Sequence, residues 1–197
     1  MSTPSFPEII PGTDGPADSE TLGYTLNHHA ILVSNLTNTR KFYGDVLGMR
    51  HVFTFRLNPQ WSFMFLGHAQ GGKNGTGFQD AATIEMEMRN REGLLEFLSY
   101  EGATPPPTQT RPHSSFSHLG LVVPNILAAQ ARMEAKGVTI VKRVGDAAHA
   151  ESVIPAAFGF PDKDAFQEAS PGLQMLGFDG VLIIADPDGN LLEVMQQ

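Results

Sequence analysis

The chain has 197 residues, 41% hydrophobic and 17% charged, with a formal net charge of −8, 13 Lys and Arg together, and no cysteine. That hydrophobic fraction suffices for a core in one domain or two small ones, whereas so few scattered cations cannot assemble a nucleic-acid-binding face. Without cysteine there are no disulfides, thiolate metal sites or cysteine nucleophile, so any metal must be held by His and carboxylates.

Residues 1–22, rich in Pro, Gly, Ser and acidic side chains, read as an extended N-terminal arm. The arm has no basic n-region and no long apolar stretch, so neither a signal peptide nor a membrane anchor is expected. Apolar runs such as Val181–Ala185 fall far short of the roughly 20 residues that span a bilayer. The expectation is a soluble, cytoplasmic protein with no nucleic-acid or membrane partner.

Beyond the arm the chain repeats itself. His28-His29-Ala30-Ile31-Leu32-Val33-Ser34-Asn35 parallels His118-Leu119-Gly120-Leu121-Val122-Val123-Pro124-Asn125, each a short strand pattern closed by a turn signal. A helical stretch follows in each half, Leu36–Leu47 and Ile126–Lys136, ending at Gly48 and Gly137, where a left-handed residue is wanted. Strands are expected over Arg50–Leu57, Trp61–Gly67 and Ala82–Arg89, and again over Val138–Val144, Val181–Ala185 and Asn190–Met195. The pattern predicts an α+β fold of two tandem βαβββ modules with curved mixed sheets. The first module covers 23–100, a linker with Pro105-Pro106-Pro107 covers 101–116, and the second module covers 117–197. Residues 145–180 form a long insertion in the second module, read as a loop; loops of that length are usually functional or mobile.

Each half then carries a His on its first strand and a Glu on its last: His28 with Glu85, and His118 with Glu193. Two imidazoles and two carboxylates suit one divalent ion, Zn²⁺, Ni²⁺, Co²⁺, Mn²⁺ or Fe²⁺. A lone His on an apolar strand is more often a core residue, and a lone Glu usually faces solvent. Recurrence at corresponding positions favours the four-ligand reading, because a carboxylate flanked by Leu192 and Val194 is costly to bury without a cation. His29 points to the opposite sheet face from His28. Glu87 shares a face with Glu85 and rivals it, but the repeat alignment selects Glu85. His51, His68, His113 and His149 have no counterparts and read as surface or loop residues.

Several motifs resemble the glyoxalase I branch of the vicinal oxygen chelate (glyoxalase–bleomycin resistance) superfamily. They are Asn27–Val33, Arg40-Lys41-Phe42-Tyr43-Gly44-Asp45-Val46-Leu47-Gly48-Met49, Ala82-Thr83-Ile84-Glu85, Phe116–Gly120 and Asp186-Pro187-Asp188-Gly189-Asn190-Leu191-Leu192-Glu193. The resemblance implies conversion of the methylglyoxal–glutathione hemithioacetal to S-lactoylglutathione through an enediolate. It also implies one divalent ion per site, Zn²⁺ by likeness to the longer members, and Glu193 as the base with Glu85 opposite. A homodimer is implied as well, in which the two halves of a site can come from different subunits. Two arginines by which the family grips glutathione carboxylates correspond to Leu32 and Ser114, and a glutathione-contacting asparagine corresponds to Arg89. Arg89, Arg91, Arg111 and Lys142 are candidate replacements, each equally readable as a solvated surface charge. The apolar set Phe53, Phe55, Trp61, Phe63 and Phe65 includes candidate substrate contacts in Phe63 and Phe65. Two further readings stay open: a metal-dependent isomerase, lyase or oxygenase acting on a non-glutathione small molecule, and a metal-free small-molecule binding protein.

Overall fold

A computed structural model describes residues 10–21, 23–69, 79–103 and 115–197 and contains two four-stranded sheets, one from each half of the chain. The first has β1 (His28–Leu32), β2 (Arg50–Arg56), β3 (Trp61–Gly67) and β4 (Leu94–Tyr100) in the order β1-β4-β3-β2. The second has β5 (His118–Val123), β6 (Thr139–Lys142), β7 (Leu182–Ala185) and β8 (Leu191–Gln196) in the order β5-β8-β7-β6. In both, the first and last strands of the half pair in parallel and the rest are antiparallel. The helices are α1 (Leu36–Arg40), α2 (Ala81–Glu87), α3 (Ile126–Ala135), α4 (Ile154–Ala157) and α5 (Lys163–Met175). The α+β reading with two βαβββ arrangements and mixed sheets holds.

The repeat is visible at the helix ends. Asn35 Oδ1 accepts from Asn38 N at 3.0 Å, and Asn125 Oδ1 accepts from Ala128 N at 2.9 Å, so the recurring Asn after each first strand is an N-cap. α1 widens into a π-helical turn over Lys41–Val46 that carries Phe42 and Tyr43 into the core. Gly48 and Gly137 follow the two helices at φ 82° and 70°, the left-handed region where glycine avoids a Cβ clash.

One face of each sheet meets a shared core. Met64, Leu66, Leu95 and Phe97 of the first sheet join Leu182, Ile184, Leu192 and Val194 of the second, with Tyr43, Ile126 and Met133 from the helical layer between. Polar bonds tie the halves as well: Tyr43 Oη donates to Asp186 Oδ2 at 3.0 Å, and Arg132 Nη2 donates to Asp45 O at 2.7 Å. Asp186 is buried and also accepts from Asn190 N, Asn190 Nδ2 and Asp188 N, so the Asp-Pro-Asp-Gly turn is wired into the first half through Tyr43. Tyr43→Phe is expected to cost about 1–3 kcal/mol, the range for weakening a buried hydrogen-bonded group, read as a lower urea midpoint.

Two expectations are corrected. Residues 82–89 do not form a strand: α2 runs over Ala81–Glu87 and a 3₁₀ turn over Met88–Asn90. Asp80 caps α2, its Oδ1 accepting from Thr83 N at 2.9 Å and from Thr83 Oγ1 at 2.8 Å. Ile84 anchors the helix on Val52, Phe65 and Leu94. The β-branched pair Thr83-Ile84 suggests a strand, but the cap and this packing override that weak preference. The last strand of the first half is β4, seven residues further on. The insertion, read as a loop, contains α4, α5 and a 3₁₀ turn at Phe178–Gly180. Ile154, Ala157, Phe166 and Phe178 bury it against Ile183 and Leu191 of the second sheet. Among the described residues no helix is long and apolar enough to cross a membrane.

Candidate functional site

Parallel pairing of β1 with β4 sets Ala30 opposite Glu96 and His28 opposite Leu94. Pairing of β5 with β8 sets Gly120 opposite Glu193 and His118 opposite Leu191. In each half, then, the Glu faces the smallest side chain of the neighbouring strand, and the His two residues back can lean over it. His28 Nε2 lies 3.5 Å from Glu96 Oε2, and His118 Nε2 lies 3.3 Å from Glu193 Oε2. The four side chains remain between 18% and 38% exposed, accessible to a ligand yet partly withdrawn from water.

Glu96 is the residue that sequence reasoning missed. Glu85, expected in this role, is an exposed residue of α2, which packs on the sheet instead of extending it. The signal was present: Leu94-Leu95-Glu96 repeats Leu191-Leu192-Glu193 without a change. His28, His118 and Glu193 stand on the strands where the repeat put them.

Alternation along the strands puts both pairs on sheet faces turned away from the shared core. Leu95 and Phe97 point into that core, so Glu96 points out; Leu192 and Val194 do the same for Glu193. Among the described residues no three His, Asp or Glu side chains converge as a metal site within one chain. Each pair nevertheless fits part of a divalent site. Donors at about 2.0–2.2 Å from one ion at right or tetrahedral angles stand about 2.8–3.6 Å apart. The observed N···O separations of 3.5 and 3.3 Å match that spacing closely. One imidazole nitrogen and one carboxylate oxygen per half, without sulfur, suits zinc and its first-row neighbours.

The surroundings of the pairs differ. Beside His28 runs a row of aromatic rings on the same sheet face. Phe65 meets His28 edge-on at 5.2 Å between centroids, Phe53 stacks on Phe65 at 5.3 Å, and Phe63 links Phe53, Phe55 and Trp61 at 5.8, 5.4 and 5.6 Å. Leu32 and Phe55 on this face are 62% and 50% exposed. Beside His118 the insertion closes in: Phe158 lies parallel to the imidazole at 4.7 Å, and Ser117 Oγ donates to Ala157 O at 2.7 Å.

The candidate cations disperse. Lys142 is buried and donates to Val181 O at 2.8 Å and to Arg143 O and Asp179 O at 3.1 Å, which uses all three ammonium protons. Burial lowers its pKa, partly offset by Asp179 and Asp146. It fastens the end of the insertion to β6 and has no donor left for a substrate carboxylate. Lys142→Met is expected to lower stability by about 2–3 kcal/mol through the three abandoned carbonyls, leaving KM unchanged; a raised KM in a stably folded variant would return Lys142 to the substrate. Arg91 is buried, bonding Gln79 Oε1 at 2.7 Å, Glu87 Oε2 at 3.2 Å and His68 O at 2.5 Å. Arg89 is exposed on the 3₁₀ turn after α2. Arg111 and Ser114 lie outside the described residues. Phe65 is buried and Phe63 half-buried, both on the His28 face.

Comparison with known proteins agrees with this architecture. The family model described as "Glyoxalase/Bleomycin resistance protein/Dioxygenase superfamily" matches residues 25–194. The lactoylglutathione lyase of Schizosaccharomyces pombe is 34% identical over 132 residues, 62% of this chain, and the match spans 40% of that protein's length. The lactoylglutathione lyase of Pseudomonas aeruginosa is 24% identical over 194 residues, covering 96% of this chain and 92% of its own. Among solved structures, the trypanothione-dependent glyoxalase I of Leishmania major superposes with a TM-score of 0.53 at 18% identity, covering 88% of this chain and 86% of that one. Glyoxalase I from Zea mays gives 0.55 at 16% identity, covering 87% of this chain and 44% of that one. The chain therefore belongs to the glyoxalase/bleomycin resistance protein/dioxygenase superfamily.

Proposed function

We propose that the protein is a divalent-metal-dependent, glyoxalase I-like lyase that isomerises the methylglyoxal–glutathione hemithioacetal to S-lactoylglutathione. The observation that carries the reading is the duplicated His–Glu pair, His28 with Glu96 and His118 with Glu193. Relatives named lactoylglutathione lyase support it. The proposed ligand set replaces Glu85 with Glu96, and Zn²⁺ is the proposed ion.

Held by His28, Glu96, His118 and Glu193, such an ion would supply Lewis acidity to the substrate oxygens. The chain's own carboxylates move the proton. Glu193 removes it from the carbon bearing sulfur and the neighbouring carbon receives a proton in return, while the hydroxyl proton passes from the first carbon's oxygen to the second's. Two hydrogens leave one carbon centre and two arrive at the other, so no atom is gained or lost. Glu96, from the other module, serves the opposite stereochemical face. Because the two pairs face outward from one core, the proposed site is shared across a two-fold homodimer. In it β1, an edge strand that among the described residues pairs with β4 alone, meets the partner's β5, likewise paired with β8 alone.

A second reading is favoured by the aromatic row and by Leu32: the same pairs act on a non-glutathione molecule with an apolar body. One experiment separates the two. Protein stripped by chelation is reconstituted with Zn²⁺, Ni²⁺ or Fe²⁺ and assayed with methylglyoxal with and without glutathione. Glutathione-dependent turnover with at least one metal is expected; its absence from fully metallated protein overturns the first reading. Trp61 is the single tryptophan, so quenching of its fluorescence by a neutral aromatic oxygen chelator, unaffected by excess glutathione, favours the second.

A further inference from the structure

The two half-sites match in their ligand residues and differ in what stands behind them, yet both supports impose the same protonation on the imidazole. Behind His118 is Ser117. Its Oγ lies 2.7 Å from Ala157 O and 2.8 Å from His118 Nδ1. A carbonyl oxygen can only accept, and a hydroxyl has a single proton, so that proton goes to Ala157. Ser117 Oγ is left as the acceptor toward His118, and the hydrogen between them belongs to Nδ1.

Behind His28 the device is an amide. Asn27 Nδ2 donates to the carbonyls of Met88 and Arg91, at 2.6 and 2.9 Å, which uses both its protons and fixes which way the amide faces. The atom turned to His28 is therefore Oδ1, 2.9 Å from Nδ1. Oδ1 cannot donate, so Nδ1 again carries the hydrogen. In both halves Nε2 is left as the nitrogen that faces a carboxylate oxygen, at 3.5 and 3.3 Å. With Nδ1 committed to its support, Nε2 is the ring nitrogen that can join the carboxylate in holding a cation.

We infer that Asn27 and Ser117 are positioning residues that hold the two ligand histidines in the Nδ1–H tautomer, with Nε2 free to bind a cation. The inference rests on the metal-dependent reading and assigns a role to segments peculiar to each half. Met88 and Arg91, at and just beyond the 3₁₀ turn that follows α2, orient Asn27. The insertion orients His118 twice, through the Ala157 carbonyl and through Phe158 stacked on the ring at 4.7 Å and 17°. By this reading α4 is a fixed support for a ligand and does not open to admit substrate.

The test is divalent-metal affinity, measured as Zn²⁺ competition with a chelating dye, together with imidazole ¹⁵N and ¹H resonances of the metal-free protein. Wild type is expected to show both rings as Nδ1–H. Ser117→Ala is expected to weaken Zn²⁺ binding about 10–100-fold, the usual effect of removing the group behind a ligand histidine. In that variant the His118 resonances move toward a mixture of tautomers, those of His28 stay unchanged, and Ser117→Thr restores both readouts. Asn27→Ala is expected to give the mirror result at His28. A Ser117→Ala variant that binds Zn²⁺ within about twofold of wild type and keeps the His118 tautomer overturns the inference. If wild type binds no metal, the metal-dependent reading fails, and the metal-free resonances still decide the tautomer: Nε2–H rings there overturn the inference separately.

Discussion

Glu96→Gln is expected to abolish turnover and to weaken divalent-metal binding by at least the 10–100-fold seen when only an outer support is lost, while Glu85→Gln leaves both within about twofold. The two glutamates are chemically equivalent and only eleven positions apart in sequence, so the contrast isolates placement. Glu96 stands on β4 with an oxygen 3.5 Å from His28 Nε2. Glu85 sits in the exposed part of a helix whose buried residue is Ile84. Gln keeps the size of the side chain and the strand register, so fold loss is a poor explanation for a dead Glu96→Gln protein, and a thermal melt close to wild type checks this directly. The reverse result, metal lost with Glu85→Gln and retained with Glu96→Gln, would sink the assignment. His28→Ala and His118→Ala should each match Glu96→Gln in metal loss if the two pairs contribute to the same ion.

The Glu85–Glu96 exchange also shows how far the sequence could be read. The repeat placed His28, His118 and Glu193 on strands because each lies in a segment whose neighbours keep the same order in both halves. The halves diverge between their third and fourth strands. The first inserts α2 there, and the second places its long segment earlier, between β6 and β7. Strand-like residues at Thr83-Ile84 then drew the repeat to a glutamate that stands on α2, although Leu94-Leu95-Glu96 was the better copy of Leu191-Leu192-Glu193. A helical insertion containing Pro171 and Gly172 was equally hidden, because both residues signal a break in any local reading. Asn27, Ser117 and Phe158 were out of reach for a different reason. Their roles depend on carbonyls and rings brought to them by tertiary structure, from positions as far apart as Asn27 and Arg91 or Ser117 and Ala157. Lys142 shows the converse: a lone cation in a sequence carries no mark of whether its protons are already committed.

If each site is completed by two chains, two inactive variants should rescue one another. A chain carrying His28→Ala and Glu96→Gln lacks the first pair but keeps His118 and Glu193; a chain carrying His118→Ala and Glu193→Gln is its complement. Alone, each homodimer has only half-filled sites and no activity is expected. Mixed in equal amounts and allowed to exchange subunits, half of the dimers pair one variant with the other. In each of these, one site receives both intact pairs and the other receives neither. One site in two, in one dimer in two, gives about a quarter of wild-type activity. The outward-facing geometry makes this the expected result, since the core formed by Leu95, Phe97, Leu192 and Val194 stands between the two pairs of a single chain. Rescue requires no new contact, only that β1 of one chain lie beside β5 of the other. The same mixture assayed for bound Zn²⁺ should show tight metal rising in step with activity, to about one ion per four wild-type sites. A mixture that stays inactive while size-exclusion and mass measurements confirm mixed dimers would show that the pairs do not meet across an interface, and the shared site would have to be abandoned.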